Sequence, residues 1–130
     1  MSNTINIDEV NSVLRDALDE YNENVVKGLK KQTKRAMKDL VNHSIDTAPV
    51  GDRDRHYRDS ISSKTLEETK YGITKVWYVK GSDYRLTHLL ENGHANRDGG
   101  RTEGTHFLRK AVNNILPWYI SSIEEVIRNG

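Results

Sequence analysis

The chain of 130 residues has no cysteine. That absence excludes a disulfide framework, zinc–thiolate sites, iron–sulfur clusters and cysteine nucleophiles, and it fits a reducing compartment. Proline is scarce at two, and only 35% of residues are hydrophobic. No run approaches the roughly 20 apolar residues a membrane helix needs. The first residues, Met1 to Asn6, have neither a basic start nor an apolar stretch, so they do not read as a signal peptide. Charge of one sign is also missing. Lysine and arginine total 20 against 19 acids, so a net charge of +1 exerts no global pull on nucleic acid or acidic membrane. There is no low-complexity run and no internal repeat. Mean hydropathy is −0.79. At this length one domain with a modest core is expected, and a chain this poor in apolar residues finishes its burial against neighbours.

Residues 8 to about 47 read as one long helix. Val10, Val13, Leu14, Ala17, Leu18, Tyr21, Val25, Leu29, Ala36, Met37, Leu40, Val41 and Ile45 recur mostly at steps of three and four, one stripe at a period of 3.6. Asp8 can cap its start, and Ala48-Pro49-Val50-Gly51 ends it. Forty residues would span roughly 60 Å at 1.5 Å each, so the helix either breaks at Asn22, Asn24 and Gly28 or projects from the body. Its charges are segregated. Asp8, Glu9, Asp16, Asp19, Glu20 and Glu23 precede Lys27, Lys30, Lys31, Lys34, Arg35 and Lys38, with Arg15 as the single base in the acidic half. A solvated face is the plain reading. The sharper ones are head-to-tail attraction between copies, through Asp16, Asp19, Glu20, Glu23 and the six bases, or a basic helix at 27–38 resting on phosphates.

After a charged loop at 51–58, Ser60 to Leu66 reads as a strand, Glu67 to Lys70 as a turn, and Tyr71 to Lys80 as a second strand rich in β-branched and aromatic residues. The pair predicts an antiparallel hairpin. Tyr84 to Asn92 reads as a short helix with Gly93 as its C-cap. Residues 93–106, with four glycines and one alanine, read as an exposed mobile loop. From His106 to Arg128 an apolar face recurs at helical spacing, and Pro117 predicts two pieces or a bend near Leu116. The class is α+β: a long N-terminal helix and a kinked C-terminal helix on a small antiparallel sheet. The expected core is Leu14, Leu18, Leu40, Ile61, Val76, Tyr78, Leu89, Leu90, Phe107, Leu108, Val112 and Ile115, with Trp77 and Trp118 partly exposed.

Catalytic signatures are weak. His88, Glu91 and His94 are spaced by three, which is not the His-Glu-x-x-His arrangement, and a partly exposed histidine, a helix-end acid and a loop histidine explain them. There is no phosphate-binding glycine loop and no Gly-x-Ser-x-Gly elbow. Arg53, Arg55, Arg58, Arg97 and Arg101 alternate with Asp52, Asp54, Asp59 and Asp98, so local ion pairing accounts for them. No catalytic residue, metal or cofactor is expected.

The ordered set Ala48-Pro49-Val50-Gly51, Ser60-Ile61, Leu90-Glu91-Asn92-Gly93-His94, Gly99-Gly100-Arg101 and His106-Phe107 resembles the pattern of the HK-ninety-seven gene-product-ten-like family of tailed-phage neck and tail-completion proteins, in order and spacing over roughly residues 10 to 125. Two departures stand out: Thr105 occupies a position usually held by proline, and Asp52 to Tyr57 lengthens the loop after the first helix. The resemblance implies a non-enzymatic virion or assembly component at the head–tail junction or in tail completion, made in the bacterial host cytoplasm. The implied partners are copies of itself in a ring and neighbours such as head-closure, tail-terminator or tail-tube subunits, with neither membrane nor nucleic acid. Its motif residues here are Glu91, Gly93, His94, Arg97, Gly99, Gly100, Arg101 and His106.

Overall fold

The computed structural model describes residues 7–48 and 57–130. The expected flexible start at 1–7 lies almost wholly outside them, as do Pro49 to Gly51 and the charged loop with Asp52, Arg53, Asp54 and Arg55. Helix α1 runs unbroken over Ile7–Thr47. Of the two outcomes open for a helix of this length, it projects. Every residue from 7 to 24 is exposed, and only from Val25 onward does a buried face develop. Gly28 is not a weak point. It is a point of close approach to the C-terminal helix, since a Cβ there would lie 2.7 Å from Cγ1 of Val126.

Strands β1 (Ile61–Thr69) and β2 (Gly72–Val79) form the expected antiparallel hairpin, in register from Ile61 opposite Val79 to Thr69 opposite Gly72. The expected turn at Glu67 to Lys70 is mostly strand. A bulge at Leu66 lets β1 run on to Thr69, and the chain reverses at Lys70 and Tyr71. A 3-10 stretch over Gly81–Leu86 leads into the short helix α2 (Thr87–Asn92), so the helix expected from Tyr84 is part 3-10 and part α. Residues 93–106 are largely exposed, as expected, but they are not irregular. Strands β3 (Gly93–Ala95) and β4 (Arg101–Glu103) pair antiparallel across a turn held by Asn96 and Gly100. Helix α3 spans Phe107–Asn129 in one piece with Pro117 inside it, so of the two outcomes expected there, two pieces or a bend, the division into two does not occur. Pro117 and Asn113 both lie on its exposed side, so the carbonyl that the proline leaves without an amide faces solvent.

α1 packs antiparallel on α3. Tyr21 donates to the Ile127 carbonyl at 2.7 Å, and the Thr33 and Tyr119 hydroxyls meet at 2.7 Å. The β1–β2 hairpin lies on another side of α1. The core sits where the C-terminal half of α1, the base of the hairpin and the start of α3 converge. Phe107, 1% exposed, is its centre, with Tyr57 edge-on at 6.0 Å and Trp77 tilted at 6.5 Å. Ala48, Ile61, Val79, Ala111 and Ile115 complete the buried apolar set. Buried Ser44 accepts from the Trp77 indole at 3.0 Å and donates to the Val41 carbonyl, so its hydroxyl is satisfied. Ser60 donates to Asp83 at 2.7 Å.

Ile61, Phe107 and Ile115 are buried as expected, while Leu40, Val76, Tyr78, Leu89, Leu90, Leu108 and Val112 are half-buried. Leu14 and Leu18 are not core: they are 55% and 61% exposed, on a part of α1 where every described residue from 7 to 24 is exposed. Tyr57, inside a stretch read as a charged loop, is 6% exposed, and its hydroxyl bonds to Thr87 Oγ1 at 2.6 Å.

Candidate functional site

Two regions combine exposure with built geometry. The first is the projecting half of α1, residues 7–24. Asp16, Asp19, Glu20 and Glu23 are exposed and pair with nothing among the described residues. The same helical segment carries exposed Ile7, Val10, Leu14, Leu18 and Tyr21 at steps of three and four. Tyr21 belongs at once to this stripe and to the contact with α3, so the stripe continues the α3-facing side of α1 beyond the end of α3.

The basic half behaves differently. Lys30 bonds to the Thr69 carbonyl and lies 3.4 Å from the Glu68 carboxylate, and Lys34 lies 3.9 Å from it. Arg35 stacks over the Trp118 ring at 5.2 Å. Three of the six bases therefore fasten the hairpin tip and α3 to α1. Lys27, Lys31 and Lys38 are exposed and without a partner among the described residues. The sequence marks all six alike because their partners stand some 35 to 85 positions away.

Beside these bases, α1, α3 and β2 leave an open apolar groove of about 250 Å³. Ala36, Met37, Leu40, Val112, Leu116 and Tyr119 line it, with Lys75 at its edge. Leu116 is 43% exposed and Ile120, one turn further along α3, is 50% exposed. Sequence reasoning assigned Leu40 and Val112 to a closed core and did not foresee a groove.

The second region is the junction of α2, the β3–β4 hairpin and α3, where the motif residues gather. His106 occupies the cap position of α3 in a left-handed conformation (φ 52°), and its side chain makes no capping bond. Glu91 caps the helix instead: its two carboxylate oxygens accept from the Leu108 and Arg109 amides at 2.9 and 3.0 Å. These are amides that no helical carbonyl reaches, at the positive end of the helix dipole. His106 Nδ1 sits 4.0 Å from the same carboxylate.

The carbonyls that end α2 are collected by the returning chain. Leu90 accepts from Thr105 through both the amide and the hydroxyl, Glu91 from the His106 amide, and Asn92 from the Arg101 guanidinium at 2.9 Å. Thr105 thus supplies an amide proton that a proline at this position would lack. Gly93 (φ +82°) and Gly104 are forced by the crossing. A Cβ on either would lie 2.3 Å from a backbone oxygen, of Thr102 and Glu91 respectively. At the hairpin tip Gly99 has φ +91°, and the Gly100 amide bonds to Asp98. His94 and Arg97 are exposed, and His94 lies beside the Ala95 carbonyl. The motif is therefore a structural knot in which Glu91, Gly93, Arg101 and His106 meet while Arg97, Gly99 and Gly100 stand outside.

The metal reading of His88, Glu91 and His94 meets a physical obstacle, because both Glu91 oxygens are committed to α3. Among the described residues no group of three or more histidines and acids is placed to hold an ion, and no helix is long and apolar enough to cross a membrane. The burial that packs Tyr57 raises its pKa above the usual tyrosine value. Thr87's hydrogen bond opposes that shift, while the negative charges of Asp83 and Glu91 add to it.

A protein-family model matches residues 12–93, with the description "Bacteriophage HK97-gp10, putative tail-component". No curated protein and no solved structure matches the chain. The matched span begins in the projecting part of α1 and takes in the β1–β2 hairpin and α2, stopping at Gly93, so β4 and α3 lie beyond it. With more than half of its length matched, including the long helix and the hairpin that rests on it, the chain belongs to the bacteriophage HK97-gp10 family.

Proposed function

We propose that the protein is a structural subunit of a tailed phage or prophage that acts at the head–tail junction or in tail completion, through ring-forming contacts with copies of itself. The observation that carries this reading is the projecting half of α1: about five helical turns with an apolar stripe and a dense acidic face, exposed along their whole length among the described residues, with only the inner end at Tyr21 bonded to α3. Most helical stability in proteins comes from packing an apolar face, and a stripe of large apolar side chains is stabilised by a surface that covers it. A neighbouring subunit supplies such a surface. Family membership supports a virion role and contacts with other phage structural proteins, of which head-closure, tail-terminator and tail-tube subunits are the expected neighbours. The role is one of assembly and not of catalysis. Of the bases proposed as a phosphate surface, Lys30, Lys34 and Arg35 are held within the chain, which favours the structural reading over nucleic-acid binding.

The test is removal of the gene from the phage that encodes it, with lysates viewed by electron microscopy. Filled heads and finished tails that fail to join, rescued by the purified protein, are expected for a neck role, and unfinished tails for a completion role. Normal infectious particles in the absence of the gene would refute both.

A further inference from the structure

The molecule carries two exposed apolar surfaces that cannot meet within one copy. One is the stripe Val10, Leu14, Leu18 and Tyr21 on the projecting half of α1. The other is the groove between α1, α3 and β2 around Met37, Val112 and Leu116. Both involve the same unbroken helix. Leu14 and Met37 are 23 residues apart, about 34 Å along a straight helix, so the arm cannot fold back onto the groove.

Charge selects the occupant. The arm over residues 7–24 carries six acids and one base, a net charge of −5. The whole chain has 20 bases and 19 acids, so the remainder carries 19 bases and 13 acids, a net charge of +6. The acids lie on the side of the arm away from the stripe, so charge acts here through net fields: two arms bring together −5 and −5, whereas an arm and the body of another copy carry opposite net charges. We propose that the projecting arm of one copy lays its apolar stripe into the α1–α3–β2 groove of the next copy. This deepens the ring reading above and rests on it.

The two surfaces differ, so the contact is head-to-tail. Each copy offers one arm and one groove, and repetition closes a ring when the rotation per step permits. Lys75 at the groove edge and the unpaired Lys27, Lys31 and Lys38 leave the receiving body basic.

The experiment uses two full-length variants, an arm variant (Leu14→Asp with Leu18→Asp) and a groove variant (Leu116→Asp), with mass measured by light scattering at about 100 µM chain. All three positions are exposed, and circular dichroism checks that each variant folds. Should Leu116→Asp lose structure, Ile120→Asp beside the groove takes its place. The wild type is expected to assemble and each variant alone to stay monomeric. An equimolar mixture is expected to give a one-to-one dimer, because the groove variant's intact arm fits the arm variant's intact groove. Variants that keep the wild-type mass would overturn the arm–groove contact while leaving a ring built on another surface. A mixture that stays monomeric would overturn it as well, and so would a wild type that is monomeric at this concentration. The role at the head–tail junction or in tail completion is read separately, from the phage lacking the gene.

Discussion

Replacing Glu91 with alanine removes the side chain that caps α3 among the described residues. In the folded chain its carboxylate accepts from the Leu108 and Arg109 amides at 2.9 and 3.0 Å, and the side chain is 13% exposed. Three contributions act together. Loss of a helix N-cap costs about 0.5–2 kcal/mol, and a negative charge at a helix N-terminus contributes about 0.3–1 kcal/mol. A buried amide left without an acceptor costs about 1–3 kcal/mol, reduced here because Arg109 is exposed and water can reach its amide. These overlap, so the expected loss is about 2–3 kcal/mol for Glu91→Ala. Glu91→Gln keeps one acceptor oxygen and should lose about 1 kcal/mol, since hydrogen bonds to charged groups exceed neutral ones by about that much. For a domain of this size 1 kcal/mol moves the midpoint by about 3–5 °C. Thermal and urea unfolding followed by circular dichroism would read both variants. An alanine variant within about 0.5 kcal/mol of wild type would refute the capping role. A glutamine variant as damaged as alanine would show that the charge, and not the hydrogen bonds, carries it.

Alanine at Gly93 or Gly104 drives a Cβ to 2.3 Å from a backbone oxygen, so either should cost more than about 2 kcal/mol. Gly99→Ala meets open space and suffers only its positive φ, a cost of about 1 kcal/mol; equal losses at all three sites in urea titrations would contradict the crossing geometry. Gly28→Ala gains about 1 kcal/mol of helix propensity but presses on Val126, and a net loss of up to about 2 kcal/mol is expected in the same assay; a stabilised variant would show that α1 and α3 are not in close contact there. The folded chain binds the Tyr57 proton more tightly than the unfolded chain does, because its pKa is raised by burial. That contribution is complete below the unfolded value of about 10 and is lost as pH rises through the folded value. Stability should therefore fall above pH 10, and Tyr57→Phe should flatten that fall at a cost of about 1 kcal/mol for the Thr87 hydrogen bond; an unchanged alkaline limb would exclude Tyr57 as its source.

The elements with strong local signals were legible. The apolar period of α1, the β-branched run of β2 and the cap at Gly93 each depend on residues a few positions apart, and each is where it was expected. What failed depended on distant chain. The stripe through Leu14 and Leu18 was seen, but periodicity identifies a face and not what covers it; α3 ends before it can reach them. Tyr57 was hidden among charges because its partners Phe107 and Thr87 lie 30 and more positions on. The Leu90 to His94 segment stood out as a pattern, yet its work became visible only when the chain returned through Thr105 to place α3 on Glu91. The β3–β4 pairing carries only three residues a side, too short for alternation to show. Pro117 predicts two pieces or a bend, and α3 runs through it as one helix, with Pro117 and Asn113 both on the exposed face.

The account turns on a chain that completes itself on its neighbours, and the absolute mass of the purified wild-type protein tests this most directly. Light scattering behind size exclusion, over a range of concentrations and at low and high salt, is expected to show a defined oligomer that loosens as salt screens the acidic arm from the basic body. A single monomeric mass at every concentration and salt would contradict self-association through the arm.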